Sequence, residues 1–282
     1  MTTTITIAEW LNRAIQTLRP ATETPAIEAQ ALLAHVLGLS RAYLLTHPEH
    51  PLNEVALESL EHLLKRLEQG EPLPYVLGWQ EFYGLPIKVS PAVLIPRPET
   101  EMLVEYALAW LRENPLRRKA IDVGTGSGCI AIALAYHLPD LKVLALERSR
   151  AALQVARENL IQFGLMSRIY LIQADLLNPV GIACDLICAN LPYIPSPRLS
   201  TLRVIQFEPR EALDGGSEGL DLIRGLLEQA PPRLTSGGLL LAEIDASHAD
   251  VLPSLARRFF PRARIEVRPD LAGLPRLLVI QT

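Results

Sequence analysis

Two short stretches of this chain combine residue types that can do chemistry. The first is Asn190-Leu191-Pro192-Tyr193, directly after the apolar run Asp185-Leu-Ile-Cys-Ala. An amide or ring-amine nitrogen is a poor nucleophile because its lone pair is delocalised. Two acceptors facing its two N–H groups orient it and favour localisation of that lone pair. The side-chain carbonyl of Asn190 can be one acceptor and the backbone carbonyl of Leu191 the other. Pro192 stiffens the chain behind them, because its ring locks φ. Tyr193 can lie flat on a planar group, which is worth ~0.5–1.5 kcal/mol beyond area burial. No strong base is needed, since the proton becomes acidic as a new bond to nitrogen forms. Positioning and electrostatics would supply most of the rate. A plainer reading stays open, with Asn190 ending a strand and Tyr193 in a core.

The second stretch is "IDVGTGSGCIAIALA", in which Gly124, Thr125, Gly126, Ser127 and Gly128 join an apolar run to a helical pattern. Glycines let the backbone take positive φ and pass close to a ligand. The dinucleotide fingerprint needs a third glycine where Cys129 stands, which points away from NAD and toward another adenosine-bearing cofactor. The next apolar run ends at Glu147, whose carboxylate can accept two hydrogen bonds from ribose hydroxyls. The one after ends at Asp175-Leu176, a polar group and an apolar side chain suited to adenine. A Gly-rich turn is also often only a tight turn.

Elements must hold these stretches in place. Residues 1–72 read as a helical bundle: Thr6-x-x-Glu9 is a capping box, Thr24-Pro25 repeats the start signal, and Asn53 opens a third helix that Gly70 ends. Residues 73–98 read as a connector carrying a β-hairpin, with strands near 79–83 and 86–90 turning through Gly84. Residues 99–282 alternate. Helices are expected over 99–113, 128–137, 149–163, 218–229 and 247–259. Strands are expected over 119–123, 142–147, 169–174, 184–189, 237–243, 263–268 and 275–281. Apolar strands alternating with helices imply a mostly parallel, doubly wound sheet, with an antiparallel hairpin at one edge. In such sheets ligands bind beyond the carboxyl ends of the strands, where all the candidate residues fall.

Composition narrows the partners. The 282 residues carry a net charge of −4, so nothing pulls the chain globally toward nucleic acid or anionic lipid. Cys129, Cys184 and Cys188 form no disulfide framework, which suits a reducing cytosol. No histidine pairs with a cysteine at zinc-finger spacing, so no metal is expected. The start, MTTTITIAEW, lacks a basic n-region and a long apolar core, and no apolar run reaches membrane-spanning length. A cytoplasmic monomer is expected. Cys184 and Cys188, four apart on one strand, should face the same side. Arg257, Arg258, Arg262, Arg264 and Arg268 form a basic cluster, read as solvated surface with docking of an acidic partner as the alternative.

The Asp122-to-Gly128 loop with Glu147 resembles the S-adenosylmethionine site of the class I methyltransferases. Asn190 to Tyr193 resembles the (Asn/Asp)-Pro-Pro-(Tyr/Phe) motif of enzymes that methylate planar nitrogens, with Leu191 at the second position. Asn-Leu-Pro-Tyr also resembles the rRNA adenine dimethyltransferases, but those carry their helical domain last and tend to be basic. Four further stretches, "GEPLPYVLG" (70–78), "LIPRPETEMLVE" (94–105), "EPREALDGGSEGLD" (208–221) and "LLLAEI" (239–244), resemble the HemK/PrmC family. That resemblance spans nearly the whole chain and its domain order. It implies a seven-stranded class I methyltransferase domain over 99–282 behind a substrate-docking helical domain over 1–72. It also implies methyl transfer to the N5 amide nitrogen of the glutamine in the Gly-Gly-Gln motif of class 1 peptide chain release factors. The implied cofactor residues are Gly124 to Gly128, Glu147 and Asn190, beside Asp175 and Leu176 as read above. The implied catalytic and substrate residues are Asn190, Leu191, Pro192 and Tyr193, with Arg97 and Thr100 bordering the pocket. Arg97 to Thr100 also read as ordinary helix-start chemistry. Ribosomal protein L3 is a rival glutamine substrate, and adenine N6 in nucleic acid a rival of another class.

Overall fold

The computed structural model describes residues 5–282. These divide into two compact units, the first ending at Trp79 and the second running from Gln80 to Thr282. The first carries α1 (Ile7–Leu18), α2 (Pro25–Leu37), α3 (Arg41–Thr46), α4 (Glu54–Glu68) and α5 (Leu73–Leu77). The expected start signals operate. Thr6 Oγ1 accepts from the Glu9 N–H at 3.3 Å while Glu9 Oε2 accepts from the Thr6 N–H at 2.8 Å. Asn53 Oδ1 accepts from the Ala56 N–H at 2.8 Å. Thr24 makes no side-chain cap, so α2 starts on the fixed φ of Pro25 alone. Trp10, Leu18, Leu32, Leu33 and Leu60 form a fully buried core.

Two helices of this unit go beyond the sequence expectation. Ser40 caps α3, and α5 falls inside the stretch read as a connector. Gly78, at φ 80°, ends α5. Arg66 grips both Glu71 carboxylate oxygens at 2.8 and 2.6 Å and the Tyr75 carbonyl at 3.2 Å, tying α4 to α5.

The hairpin follows as β1 (Trp79–Phe82) and β2 (Leu85–Lys88). Its two turn residues, Tyr83 and Gly84, both have positive φ, as a primed two-residue turn requires. Then come α6 (Pro98–Glu113), β3 (Lys119–Val123), α7 (Cys129–His137), β4 (Lys142–Glu147), α8 (Arg150–Gln162), β5 (Ile169–Gln173) and β6 (Cys184–Ala189). The chain closes with α9 (Ser196–Leu199), α10 (Asp221–Gln229), β7 (Leu234–Glu243), α11 (Leu252–Phe259), β8 (Arg264–Pro269) and β9 (Pro275–Gln281). The helix expected over 247–259 is shorter, because Pro253 belongs in a first turn and sets the start at Leu252.

The sheet has seven strands in the order β5-β4-β3-β6-β7-β9-β8. β3 to β7 run parallel, and β9 inserts antiparallel between β7 and β8. This is the expected doubly wound sheet with an edge hairpin. Alternate residues feed two cores: Ala120, Leu186, Cys188 and Leu241 face one side, and Ile121, Ile187, Ala189 and Leu240 the other.

One expectation fails here. Cys184 and Cys188 are both buried but pack into different cores, and between Cys184 and Leu186 the pairing with β7 shifts register. Among the described residues no helix is long and apolar enough to cross a membrane, and no cluster of potential metal ligands occurs.

Candidate active site

The strand order decides which loops meet. β3 and β6 are neighbours although β4 and β5 lie between them in sequence, so the crevice of the fold opens beyond their carboxyl ends. Val123 pairs with Ala189, so Gly124 and Asn190 leave the sheet side by side. Val123 also pairs with Leu146, which brings Glu147 alongside Gly124. Ala189 pairs with Ala242, which brings Glu243 alongside Asn190. A cavity of about 350 Å³ lies over this row.

The glycine loop is held by backbone bonds. The Gly124 and Thr125 N–H groups donate to the Leu146 carbonyl at 2.9 Å. The Gly126 N–H donates to Glu147 Oε2 at 3.0 Å and the Ser149 N–H to Glu147 Oε1 at 2.8 Å. Each carboxylate oxygen keeps a further lone pair for a ligand hydroxyl. Below the loop, fully buried Asp122 accepts from Thr125 Oγ1 at 2.5 Å and from the Ala131 N–H at 3.3 Å. Among the described residues its Oδ1 has no partner, and burial pushes the carboxyl up to about 7. Asn159 braces the loop from α8, donating to the Ser127 carbonyl at 2.9 Å.

The Asn190 side chain is fixed by what surrounds its nitrogen. Nδ2 donates to Thr100 Oγ1 at 2.9 Å and to Glu243 Oε2 at 3.0 Å. Thr100 Oγ1 in turn donates to Glu243 Oε2 at 2.6 Å, and the Tyr193 hydroxyl donates to Glu243 Oε1 at 3.2 Å. Three donors thus converge on one buried carboxylate. Burial pushes the Glu243 carboxyl up, and the Thr100 and Tyr193 bonds oppose that shift. Among the described residues, Asn190 Oδ1 and the Leu191 carbonyl accept no protein hydrogen bond. These are the two acceptors expected from the sequence.

A second buried carboxylate positions the segment before α6. Glu208 accepts from the Ile95 N–H at 3.2 Å and pairs with Arg97. Burial raises its pKa, and the Arg97 charge pulls the other way. Arg97 is the N-cap residue of α6, without a side-chain cap bond, and also lines the cavity. The loop after Glu208 then braces the Asn190 loop. Ile194 N–H donates to the Leu213 carbonyl at 3.1 Å, and Gly215 N–H to the Ile194 carbonyl at 2.9 Å.

Of the residues singled out from sequence, Arg97, Thr100, Gly124, Thr125, Gly126, Ser127, Glu147, Asp175, Leu176, Asn190, Leu191 and Pro192 all border this cavity. Gly128 does not. It sits at φ 84°, where a Cβ would stand 3.2 Å from Ile132, so it serves helix packing. Tyr193 does not border the cavity either and reaches the site through Glu243. Thr100 is 2 % exposed, and its hydroxyl donates to Glu243 and accepts from Asn190. Leu176 holds φ 51°, a strained conformation for leucine.

Sequence reasoning missed the roles of Glu208 and Glu243. Glu243 was open to detection, because it ends an apolar strand on the ligand edge as Glu147 does. Glu208 gave no such signal. Three members of the basic cluster are committed locally: Arg257 to the Ala263 carbonyl, and Arg264 and Arg268 to Glu266.

Comparison with known proteins agrees with this architecture. Residues 9–78 match the PrmC N-terminal domain and residues 100–206 the methyltransferase small domain. Two solved structures share the fold: a methyltransferase from Pyrococcus furiosus (TM-score 0.53, 19% identity, 71% of this chain and 90% of that one) and the hMettl16 catalytic domain bound to MAT2A 3′UTR hairpin 6 (TM-score 0.56, 17% identity, 74% and 80%). The release factor glutamine methyltransferase of Moorella thermoacetica is 42% identical over 96% of this chain and 97% of its own. That of Koribacter versatilis is 39% identical over 98% of both chains, and that of Escherichia coli K12 is 41% identical over 83% and 84%. Identity at this level across both units means that the chain belongs to the release factor glutamine methyltransferase family.

Proposed function

We propose that this protein transfers a methyl group from S-adenosylmethionine to the N5 amide nitrogen of the glutamine in the Gly-Gly-Gln motif of class 1 peptide chain release factors. The observation that carries the reading is the pair of unpartnered acceptors, Asn190 Oδ1 and the Leu191 carbonyl, beside the glycine-loop cavity. The cavity suits the cofactor. Gly124 and Gly126 leave the loop without side chains at positive φ, Glu147 can take ribose hydroxyls, and Asp175 with Leu176 can border adenine. S-adenosylmethionine supplies an electrophilic methyl group on a sulfonium. The two acceptors receive the N–H groups of the acceptor amide and aim its nitrogen at that carbon. As nitrogen becomes positive, the same oxygens stabilise the developing charge, because they are fixed before reaction starts. Pro192 stiffens the chain next to the Leu191 carbonyl, since it locks φ.

The helical unit docks the large partner, and the enzyme works as a monomer in the cytoplasm, where translation terminates. Apparent KM is therefore far higher for a free Gly-Gly-Gln peptide than for the whole factor. Equal KM values would remove the docking role. The decisive experiment supplies labelled S-adenosylmethionine with purified release factor, ribosomal protein L3 or total RNA, and locates the label by mass spectrometry. Label on the Gly-Gly-Gln glutamine is expected. Label confined to L3 or RNA overturns the substrate and keeps the chemistry.

A further inference from the structure

Glu243 belongs to no part of that mechanism, yet it ends β7 directly beside Asn190 and is 4 % exposed. We propose that Glu243 is a positioning residue: its carboxylate sets which end of the Asn190 amide faces the substrate, and so dictates an amide rather than a carboxylate at position 190. The inference rests on the acceptor role of Asn190 given above.

Hydrogen-bond direction decides which way the Asn190 amide turns. An ionised carboxylate can only accept. With Glu243 Oε2 at 3.0 Å, the amide end facing it must be the nitrogen, which turns Oδ1 away from the carboxylate. Thr100 enforces the same choice. Its single proton goes to Glu243 at 2.6 Å, so toward Asn190 its oxygen can only accept, at 2.9 Å. Tyr193 closes the network by donating to the other carboxylate oxygen at 3.2 Å, which fixes the carboxylate plane. Without Glu243 the amide could flip and present N–H groups to a substrate that offers N–H groups, and no productive pair would form. An aspartate at position 190 would set two carboxylates in contact, and one would have to turn away or hold a proton.

The network can also be run backwards, which supplies a test that a merely structural role would not pass. In an Asn190→Asp, Glu243→Gln double variant, the new amide nitrogen faces the new carboxylate and Thr100 reverses its donation. The remaining carboxylate oxygen at position 190 faces the substrate as Asn190 Oδ1 did. Asn190→Asp alone should lower kcat ~100-fold or more, and adding Glu243→Gln should recover at least ~10-fold of that loss. Glu243→Gln alone should cost less than ~10-fold, because its carbonyl can still accept from Thr100 and Asn190. S-adenosylhomocysteine affinity by calorimetry and Tm are recorded for each variant, so that misfolding is separated from lost turnover. No recovery in a folded, cofactor-binding double variant overturns the proposal. If the wild type labels a planar nitrogen other than the glutamine amide, the substrate reading fails and the same series on that product still decides the role of Glu243.

Discussion

Gly219 passes against the backbone carbonyl of Tyr193 so closely that a Cβ would overlap that oxygen. A side chain there must therefore push the Asn190 loop out of place. Gly219→Ala should destabilise the protein by about 2–5 kcal/mol, from its positive φ together with overpacking. It should also lower kcat. Gly164 is the control: its φ is +66° but nothing lies within 4 Å of a Cβ. Gly164→Ala should cost only about 1–2 kcal/mol and leave kcat unchanged. Urea denaturation with steady-state kinetics distinguishes the two, and equal effects would remove the contact argument.

Asn190→Ala deletes one of the two proposed acceptors and leaves the residues of the glycine loop unchanged. Loss of ~10²–10³ in kcat is expected, by analogy with removing one oxyanion-hole donor. Affinity for S-adenosylhomocysteine should change little, because Glu147 and the loop at Gly124 are untouched. A near-normal rate would take Asn190 out of the mechanism.

Glu208 is buried, and its two partners are the Ile95 N–H and Arg97. Glu208→Gln removes the charge and keeps the shape. The Arg97 guanidinium then loses its ion pair, at a cost of ~1.5–3 kcal/mol for a bond to a charged group. The segment it held borders the cavity, so cofactor affinity should weaken alongside. Unfolding free energy and calorimetric binding, measured on the same preparation, test both.

Asp122 gives stability a pH slope. Burial holds its carboxyl at about 7 in the fold against an ordinary 3.8. Between those values the folded protein keeps a proton that the unfolded chain has released. Folding binds the proton, so this contribution to stability falls as pH rises through that window and is gone above about 7. Asp122→Asn cannot titrate, while its carbonyl still accepts from Thr125 and Ala131. Denaturation at about pH 5 and about pH 8 should show a shallower decline in the variant than in the wild type. Identical slopes would mean that Asp122 ionises normally.

Much of this was legible in the residues. Strands β3, β4, β6 and β9 fall where apolar runs and turn signals set them, and the Thr6 and Asn53 caps start their helices as their side chains require. The role proposed for Asn190 to Tyr193 could be drawn from residue type alone, because amide geometry and the fixed φ of proline are local properties. Short α3 and α5 were not legible, since a single turn leaves almost no period to detect. The register shift between β6 and β7 near Cys184 was hidden too, because it arises from the pairing of two strands and not from β6 alone.

The sequence by itself determined the elements, the glycine loop and the acceptor motif, since propensity, capping and functional-group chemistry act within a few residues. Only the tertiary structure decided that Ala189 lies between Val123 on one side and Ala242 on the other, which brings Gly124, Asn190 and Glu243 to one edge. Strand order and register are set by packing both faces of the sheet at once. No local signal in the chain says which way the Asn190 amide will turn until Glu243 and Thr100 stand next to it.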